Sequence, residues 1–332
     1  MYFRLFTNCI IVEGVTNDAI YDLHTGDFLQ INKRISNLLQ EDLKNLTIQE
    51  TKEKHPDWQE GLEAYMDYLM EHDFAFKTSE PHKFPNLSLA YESPFQIDNS
   101  IIHINPDLDV SIAIRQIMEM DAQGFQLIMD NPSVDELQKY ANIFISSRVR
   151  RVEFLIRNSD FTLETLRLIE DDLRFVYRVF NADADYIEKL KSQDLTNREE
   201  FHYLFKKEAL DFMEKESYSV DNFSIGLSQF IEAQTRNIGL NKKVCIDREG
   251  NIKNYISHDT IFGNIKTHEI FDVVSSEGFQ KKWFIDNSQI QKCKGCIYRM
   301  MCFSCSDIVE REGLLYKMDD CNYDPISDQW AE

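Results

Sequence analysis

Glycine and proline are scarce in this chain, 11 and 7 among 332 residues, so no long flexible linker separates its parts. Basic residues are outnumbered by acidic ones, 36 against 57, for a formal charge of −21. Such a surface repels phosphate backbones and anionic lipid, which argues against nucleic-acid and membrane partners. No apolar stretch approaches the roughly 20 residues of a membrane-spanning helix. The opening "MYFRLFTNCIIVEGV" has no basic segment followed by a long apolar run, so no signal peptide is expected. A cytoplasmic location is the resulting expectation, and there thiols stay reduced. The patterns G-x4-G-K-[ST], G-x-G-x-x-G, H-E-x-x-H and G-x-S-x-G are also missing. Their absence removes phosphate-loop, dinucleotide, zincin and hydrolase-elbow chemistry. Cysteine itself is absent from residues 10–244.

Hydrophobic residues make up 43% of the chain and aromatics 12%, enough to bury two or three cores at this length. Residues 1–85 alternate short strands, "RLFTNCIIVEG" and "AIYDL", with helical stretches. "NKRISNLLQEDL" reads as helix, and Thr47 with Glu50 is a capping box. "DWQEGLEAYMDYLMEHDFAFKT" reads as an amphipathic helix running into a strand. This region suits a winged-helix-like α+β lobe.

From residue 86 to 220, apolar strands recur as "SIIHI", "FQLIMD", "RRVEFLIRN" and "LRFVYRVFN". Between them lie helical patterns: "VSIAIRQIMEMDA", then "SVDELQKYANIFISS" with the Ser133/Glu136 capping box, then "TLETLRLIEDD". A last capping box, Thr196 to Glu199, opens a helix expected to continue through "EFHYLFKKEALDFMEKES". Such alternation predicts α/β architecture with a mainly parallel sheet, open or curved into a barrel, and a site at its C-terminal strand ends. In residues 221–332, "KKVCIDREGNIKNY" predicts a hairpin turning at Gly250, followed by helix and the cysteine cluster.

That cluster, "CKGCIYRMMCFSC", places four of seven cysteines between Cys293 and Cys305, and Cys321 follows in "DDCNYDP". In a reducing compartment such spacing reads as a metal site. The Cys293-x2-Cys296 knuckle can point both sulfurs at one centre, and Cys302 with either Cys305 or Cys321 completes four ligands. Four thiolates hold zinc or an iron–sulfur cluster equally well. Lys292, Lys294 and Arg299 are either charge partners of a cluster or ordinary solvated side chains.

The segments "IDREGNIKNY", "FGNI", "EIFDVVSSEGFQKKW" and "CKGCIYRMMCFSC" resemble the C-terminal SPASM domain of radical SAM peptide-modifying enzymes. There a glycine-bearing hairpin and a "GN" turn precede a C-x2-C-x5-C run and a distant last cysteine. On that pattern Cys293, Cys296, Cys302 and Cys321 match the ligands of the second auxiliary [4Fe-4S] cluster, and Cys305 a ligand of the first. Tyr255 replaces the cysteine usual after the hairpin glycine, and "EAQTRNIGLNKK" holds none, so the resemblance implies one cluster. Cys245 reads as a buried strand cysteine.

The βα repeat resembles the radical SAM partial barrel. Such enzymes carry C-x3-C-x2-C after the first strand, because three thiolates leave one iron free for S-adenosylmethionine. "FPNLSLAYESPFQIDNSIIHI" has no cysteine, which implies a degenerate barrel unable to cleave that cofactor. The chain is similar to the maturase of the grasp-with-SPASM peptide systems, and its closing "CNYDPISDQW" fits that family too. The resemblance implies an accessory role in graspetide-type ribosomal peptide biosynthesis, beside an ATP-grasp ligase that crosslinks the precursor peptide. The N-terminal lobe would capture a leader segment as an added strand.

A structural cluster is expected, because five candidate thiols leave no open position for substrate. Two other readings stand beside it: an iron–sulfur enzyme or electron-transfer protein acting on a peptide, and a zinc-stabilised scaffold. His258 and His268 read as packing or surface histidines, and Cys9 as core. The pairs Asp171/Asp172 and Asp319/Asp320 read as solvated. Asp107 and Asp109 follow a strand, a favourable position for a site in a βα fold, where loop acids also cap helices.

Overall fold

The computed structural model describes residues 1–157, 161–169, 172–192, 195, 197–210, 223 and 225–331. Thr196 and Asp171 lie outside the described residues, as does the stretch "DFMEKES" from residue 211.

The chain opens with strands β1 (Tyr2–Leu5), β2 (Cys9–Val12), β3 (Asn17–Asp22), β4 (Phe28–Asn32) and β5 (Ala75–Thr78). β2, β3 and β4 form an antiparallel meander, and β1 pairs with β5 in a separate ribbon. Thr47 and Glu50 close the expected capping box on the helix Ile48–Lys54. The helix Gln59–Glu71 buries Leu62, Met66 and Leu69, spaced four and three apart on one face. They join Phe3, Ile20 and Ile31 in one core, where each fully buried side chain contributes about 1.5–3 kcal/mol.

An eight-stranded sheet follows. Its parallel part runs through β6 (Asn99–His103), β7 (Gly124–Asp130), β8 (Arg151–Arg157), β9 (Phe175–Phe180) and β10 (Tyr203–Phe205), each beside its predecessor. β11 (Lys243–Ile246) pairs in parallel with the free side of β6. β12 (Asn251–Lys253) and β13 (Gly263–Asn264) then extend the sheet antiparallel. The fold is mixed α/β with a mostly parallel sheet, and that sheet is open, with β10 and β13 at its edges. Both faces are covered: Ile102, Leu127 and Phe154 belong to one core cluster, and Ile101, Ile128 and Leu155 to another. Burial on both sides explains why "EFLI" and "FQLIM" read as near-continuous apolar runs.

The Ser133/Glu136 capping box is present at the head of the helix Val134–Phe144. Gly250, at φ 84°, makes the β11–β12 turn as expected, where a Cβ would stand 2.9 Å from Leu108. Two expectations fail. The helix in "TLETLRLIEDD" is confined to Leu163–Leu166. The long helix expected from Glu200 stops at His202, where Tyr203 to Phe205 pair with Tyr177 to Val179 as β10. The Tyr203 ring stacks on Tyr177 with centroids 5.7 Å apart, and cross-strand pairing wins over helix propensity.

The last strands are β14 (Ile308–Arg311), β15 (Leu314–Lys317), β16 (Tyr323–Asp324) and β17 (Gln329–Trp330). β14 and β15 form a hairpin whose turn residues Glu312 and Gly313 both have positive φ, 53° and 76°. β16 pairs with β17.

Backbone contacts divide the chain into two compact units. One holds Met1–Glu92, Glu216–Gly239 and Phe284–Glu332; the other holds Ser93–Lys215 and Leu240–Trp283. The expected boundaries at 85/86 and 220/221 cut the chain differently, because β11 to β13 complete the central sheet while the cysteine run joins the N-terminal strands. No helix among the described residues is long and apolar enough to cross a membrane.

Candidate metal centre

The knuckle begins as a single 3-10 turn, Cys293–Gly295, closed by the Cys296 amide donating to the Cys293 carbonyl at 2.9 Å. Its far side rests on the loop between β2 and β3. The Val15 amide donates to the Gly295 carbonyl at 3.0 Å, and the Arg299 guanidinium donates to the Glu13 carbonyl. The Tyr21 hydroxyl donates to the Ile297 carbonyl from below. This approach requires Gly295: a Cβ there would stand 2.3 Å from Val15 Cγ2. On the other side, Gln291 donates to the Leu315 carbonyl at 2.9 Å, fixing the knuckle to β15.

Cys293, Cys296, Cys302 and Cys321 line one cavity. Aromatic rings close it: Tyr298 and Tyr323 lie edge to face with centroids 4.9 Å apart, and Trp330 sits 5.1 Å from Tyr323. Cys321 reaches the wall because β16 and β17 fold back, held by the Ala331 amide on the Asn322 carbonyl at 2.7 Å. Asn287 Nδ2 donates to the Arg299 carbonyl at 2.8 Å, steadying the run between Cys296 and Cys302.

Three cations border the thiols. Lys317 Nζ lies 3.7 Å from Cys302 Sγ, Lys292 donates to the Cys321 carbonyl, and Arg299 lines the cavity. The Tyr298 amide points at Cys296 Sγ from 3.3 Å. Burial pushes the Cys293, Cys296 and Cys321 thiols up, and their neighbouring sulfurs push the same way. For Cys293, the Lys317 charge opposes that shift. A bound cation reverses this balance by favouring the thiolates outright.

Among the described residues, no three His, Cys, Asp or Glu side chains converge as ligands of one ion. A zinc tetrahedron needs its sulfurs about 2.3 Å from a single point. A [4Fe-4S] cluster takes one thiolate on each iron and spreads its ligands wider. Four thiolates supply the ligands that either centre takes. The free volume between these side chains is about 30 Å³. The donor set itself, soft sulfur in a desolvated cavity ringed by cations, fits a thiolate-held centre.

No family model and no curated protein matches the chain. Among solved structures it is similar to SuiB of Streptococcus suis, with a TM-score of 0.36 and 8% identity over 90% of this chain and 94% of that one. SuiB bound to S-adenosylmethionine is similar with a TM-score of 0.30 and the same identity and coverage. Likeness at that level carries neither family nor activity.

Cys305 does not line the cavity; its Sγ donates to the Gly239 carbonyl at 3.3 Å. Lys294 turns to Gln291 Oε1 at 3.0 Å instead of the thiols. Cys9 is buried in β2, its thiol pushed up to about 12 by burial first and by Asp22 second. Cys245 is buried in β11, near the Asn254 carbonyl. His258 is buried and His268 meets the Asn264 amide at 3.3 Å; neither lines the cysteine cavity. Asp109 accepts from the Ser111 amide at 3.0 Å, and the N-cap position of the helix Ser111–Glu119 is Val110, which makes no side-chain cap bond. Asp172 pairs with Arg174, and Asp320 is exposed. Lys317 was missed from the sequence. Its signal was the Glu312–Gly313 turn, which folds "LLYK" back along "IVER".

Proposed function

We propose that the chain is an accessory protein of ribosomal peptide maturation, with Cys293, Cys296, Cys302 and Cys321 holding one structural [4Fe-4S] cluster. The supporting observation is that these four thiols, spread over 29 positions, line one cavity with cationic and aromatic walls. When bound, the cluster would supply a cross-link between the knuckle and the C-terminal hairpin of a region with little core of its own. Four thiolates complete its ligation, so substrate finds no open iron. With no cysteine between Cys9 and Cys245, this chain has no second thiolate set with which to cleave S-adenosylmethionine.

The precursor peptide's seat in this reading is the N-terminal, winged-helix-like lobe. A groove of about 510 Å³ runs beside β1 and β2, floored by Leu39 and Leu43 and flanked by Phe84 and Leu87. Among the described residues β1 pairs only with β5, and β2 is an edge of its meander, so both offer backbone to an added strand. Arg4 and Lys44 on this groove give an otherwise acidic chain a positive grip.

Anaerobic purification with iron, sulfide and zinc analysis tests the centre. Four iron and four sulfide per chain are expected, lost in Cys296→Ser and retained in Cys305→Ser. Zinc at one per chain would instead make the protein a zinc-clamped scaffold. Titration with the precursor peptide encoded beside the gene, and co-purification with a neighbouring ATP-grasp ligase, test the partners. A peptide that shows no binding while the metal is retained refutes the partner reading alone.

A further inference from the structure

In open parallel sheets ligands bind beyond the carboxyl ends of the strands. Three adjacent strands here end on polar, titratable or charged side chains: β6 on His103, β7 on Asp130 and β8 on Arg157. Asp130 accepts from His103 Nε2 at 2.8 Å and from Arg157 Nη1 at 3.2 Å. A second guanidinium, Arg248 Nη1, reaches the same carboxylate at 3.1 Å from the turn after β11. Asn105 Nδ2 donates to the Arg248 carbonyl at 2.9 Å and so holds that turn over the strand ends.

These groups border a cavity of about 330 Å³, lined by His103, Arg157, Arg248, Lys253 and His258, with Ile128 and Ile256 supplying apolar wall. All belong to one compact unit. Among the described residues, the acids nearby do not neutralise the guanidinium pair. Asp247 is saturated by the Glu249 and Asn251 amides at 3.1 and 2.8 Å, by Asn251 Nδ2 at 3.0 Å and by Lys253 at 3.1 Å. Glu249 and Asp259 are exposed at the rim. One carboxylate thus faces two guanidiniums and an imidazole. Each guanidinium carries five donors and gives Asp130 one of them. Arg157 Nε is enclosed and has no hydrogen-bond partner among the described residues.

A buried donor without an acceptor costs about 1–3 kcal/mol, so the arrangement is complete only with an acceptor from outside. Planar guanidinium forks match the paired oxygens of carboxylates and phosphates. We propose that this cavity binds a small oxyanion, a carboxylate or a phosphate, between Arg157 and Arg248, with His103 as a third polar contact. Asp130 holds the three side chains in position. The site is separate from the thiol centre and stands or falls without it.

Calorimetric titration of the full chain with inorganic phosphate, and separately with acetate, tests this. Saturable one-site binding of at least one anion is expected, and which of them binds identifies the source. Arg157→Gln and Arg248→Gln should each weaken that binding about tenfold or more. The Arg248 side chain is 51% exposed, so its variant keeps the wild-type melting profile and isolates the loss of contact. Absence of saturable binding for both anions, or an Arg248→Gln variant that binds as the wild type does, overturns the proposal.

Discussion

Asp73 holds a left-handed backbone, φ 59°, just past the helix Gln59–Glu71. Its amide donates to the Met70 carbonyl at 3.2 Å, and the Phe74 amide donates to Leu69 at 2.8 Å, the paired bonds of a Schellman ending. A Cβ makes that conformation costly, so Asp73→Gly should stabilise the protein by about 1 kcal/mol in urea melts. Arg174 is the opposite case. Its Nη2 donates to the Phe144 and Ile145 carbonyls at 2.9 Å, and Nη1 donates to those of Ser147 and Val149 at 2.8 and 3.0 Å. Arg174→Met leaves these carbonyls without their donor and should cost about 2–4 kcal/mol. The Arg174 hydrogen bond also holds the Asp172 carboxyl below the usual range, against the opposing effect of burial. Asp172 therefore adds stability above its unfolded value near pH 3.9, and loses it as pH falls through the lower folded value. The variant should flatten that acid limb in pH-resolved melts; an unchanged acid limb would show that Asp172 gains nothing from Arg174. The carbonyl contacts of Arg174 are not legible in the sequence, since they reach residues 25 to 30 positions away.

Among the elements, the short pair β16 and β17 carries the most weight for the candidate centre. It has little pairing of its own, yet it brings Cys321, Tyr323 and Trp330 to the cavity wall. A chain ending at Asn322 should hold metal at least about tenfold more weakly while leaving the eight-stranded sheet intact, as read by metal analysis and circular dichroism. Full metal content in that truncation would remove the hairpin from the account. The elements themselves were legible where one local signal dominated. The capping boxes at Thr47 and Ser133 and the Gly250 turn depend on residues within four positions of each other. β10 was hidden, because "YLF" has helical company in sequence and becomes a strand only when Tyr177 lies alongside it.

The whole molecule has two compact units with separate cores, and the four cavity thiols belong to only one of them. Removing the metal with a chelator should lower the melting of that unit alone, by the binding free energy lost, and leave the transition of the sheet unit unmoved. A single transition that shifts as a whole would show the two units to unfold together. The sequence by itself determined the alternation of strands and helices, the two-sided burial of the central strands, the acidic surface and the C-x2-C knuckle. Each is a matter of residue type at short spacing. The tertiary structure alone decided that Cys321 shares the cavity of Cys293 and Cys305 does not, that Val15 meets Gly295, and that Arg157 and Arg248 share Asp130. Such meetings depend on closing loops of tens to hundreds of residues, and no short-range pattern encodes which distant partners a folded chain brings together.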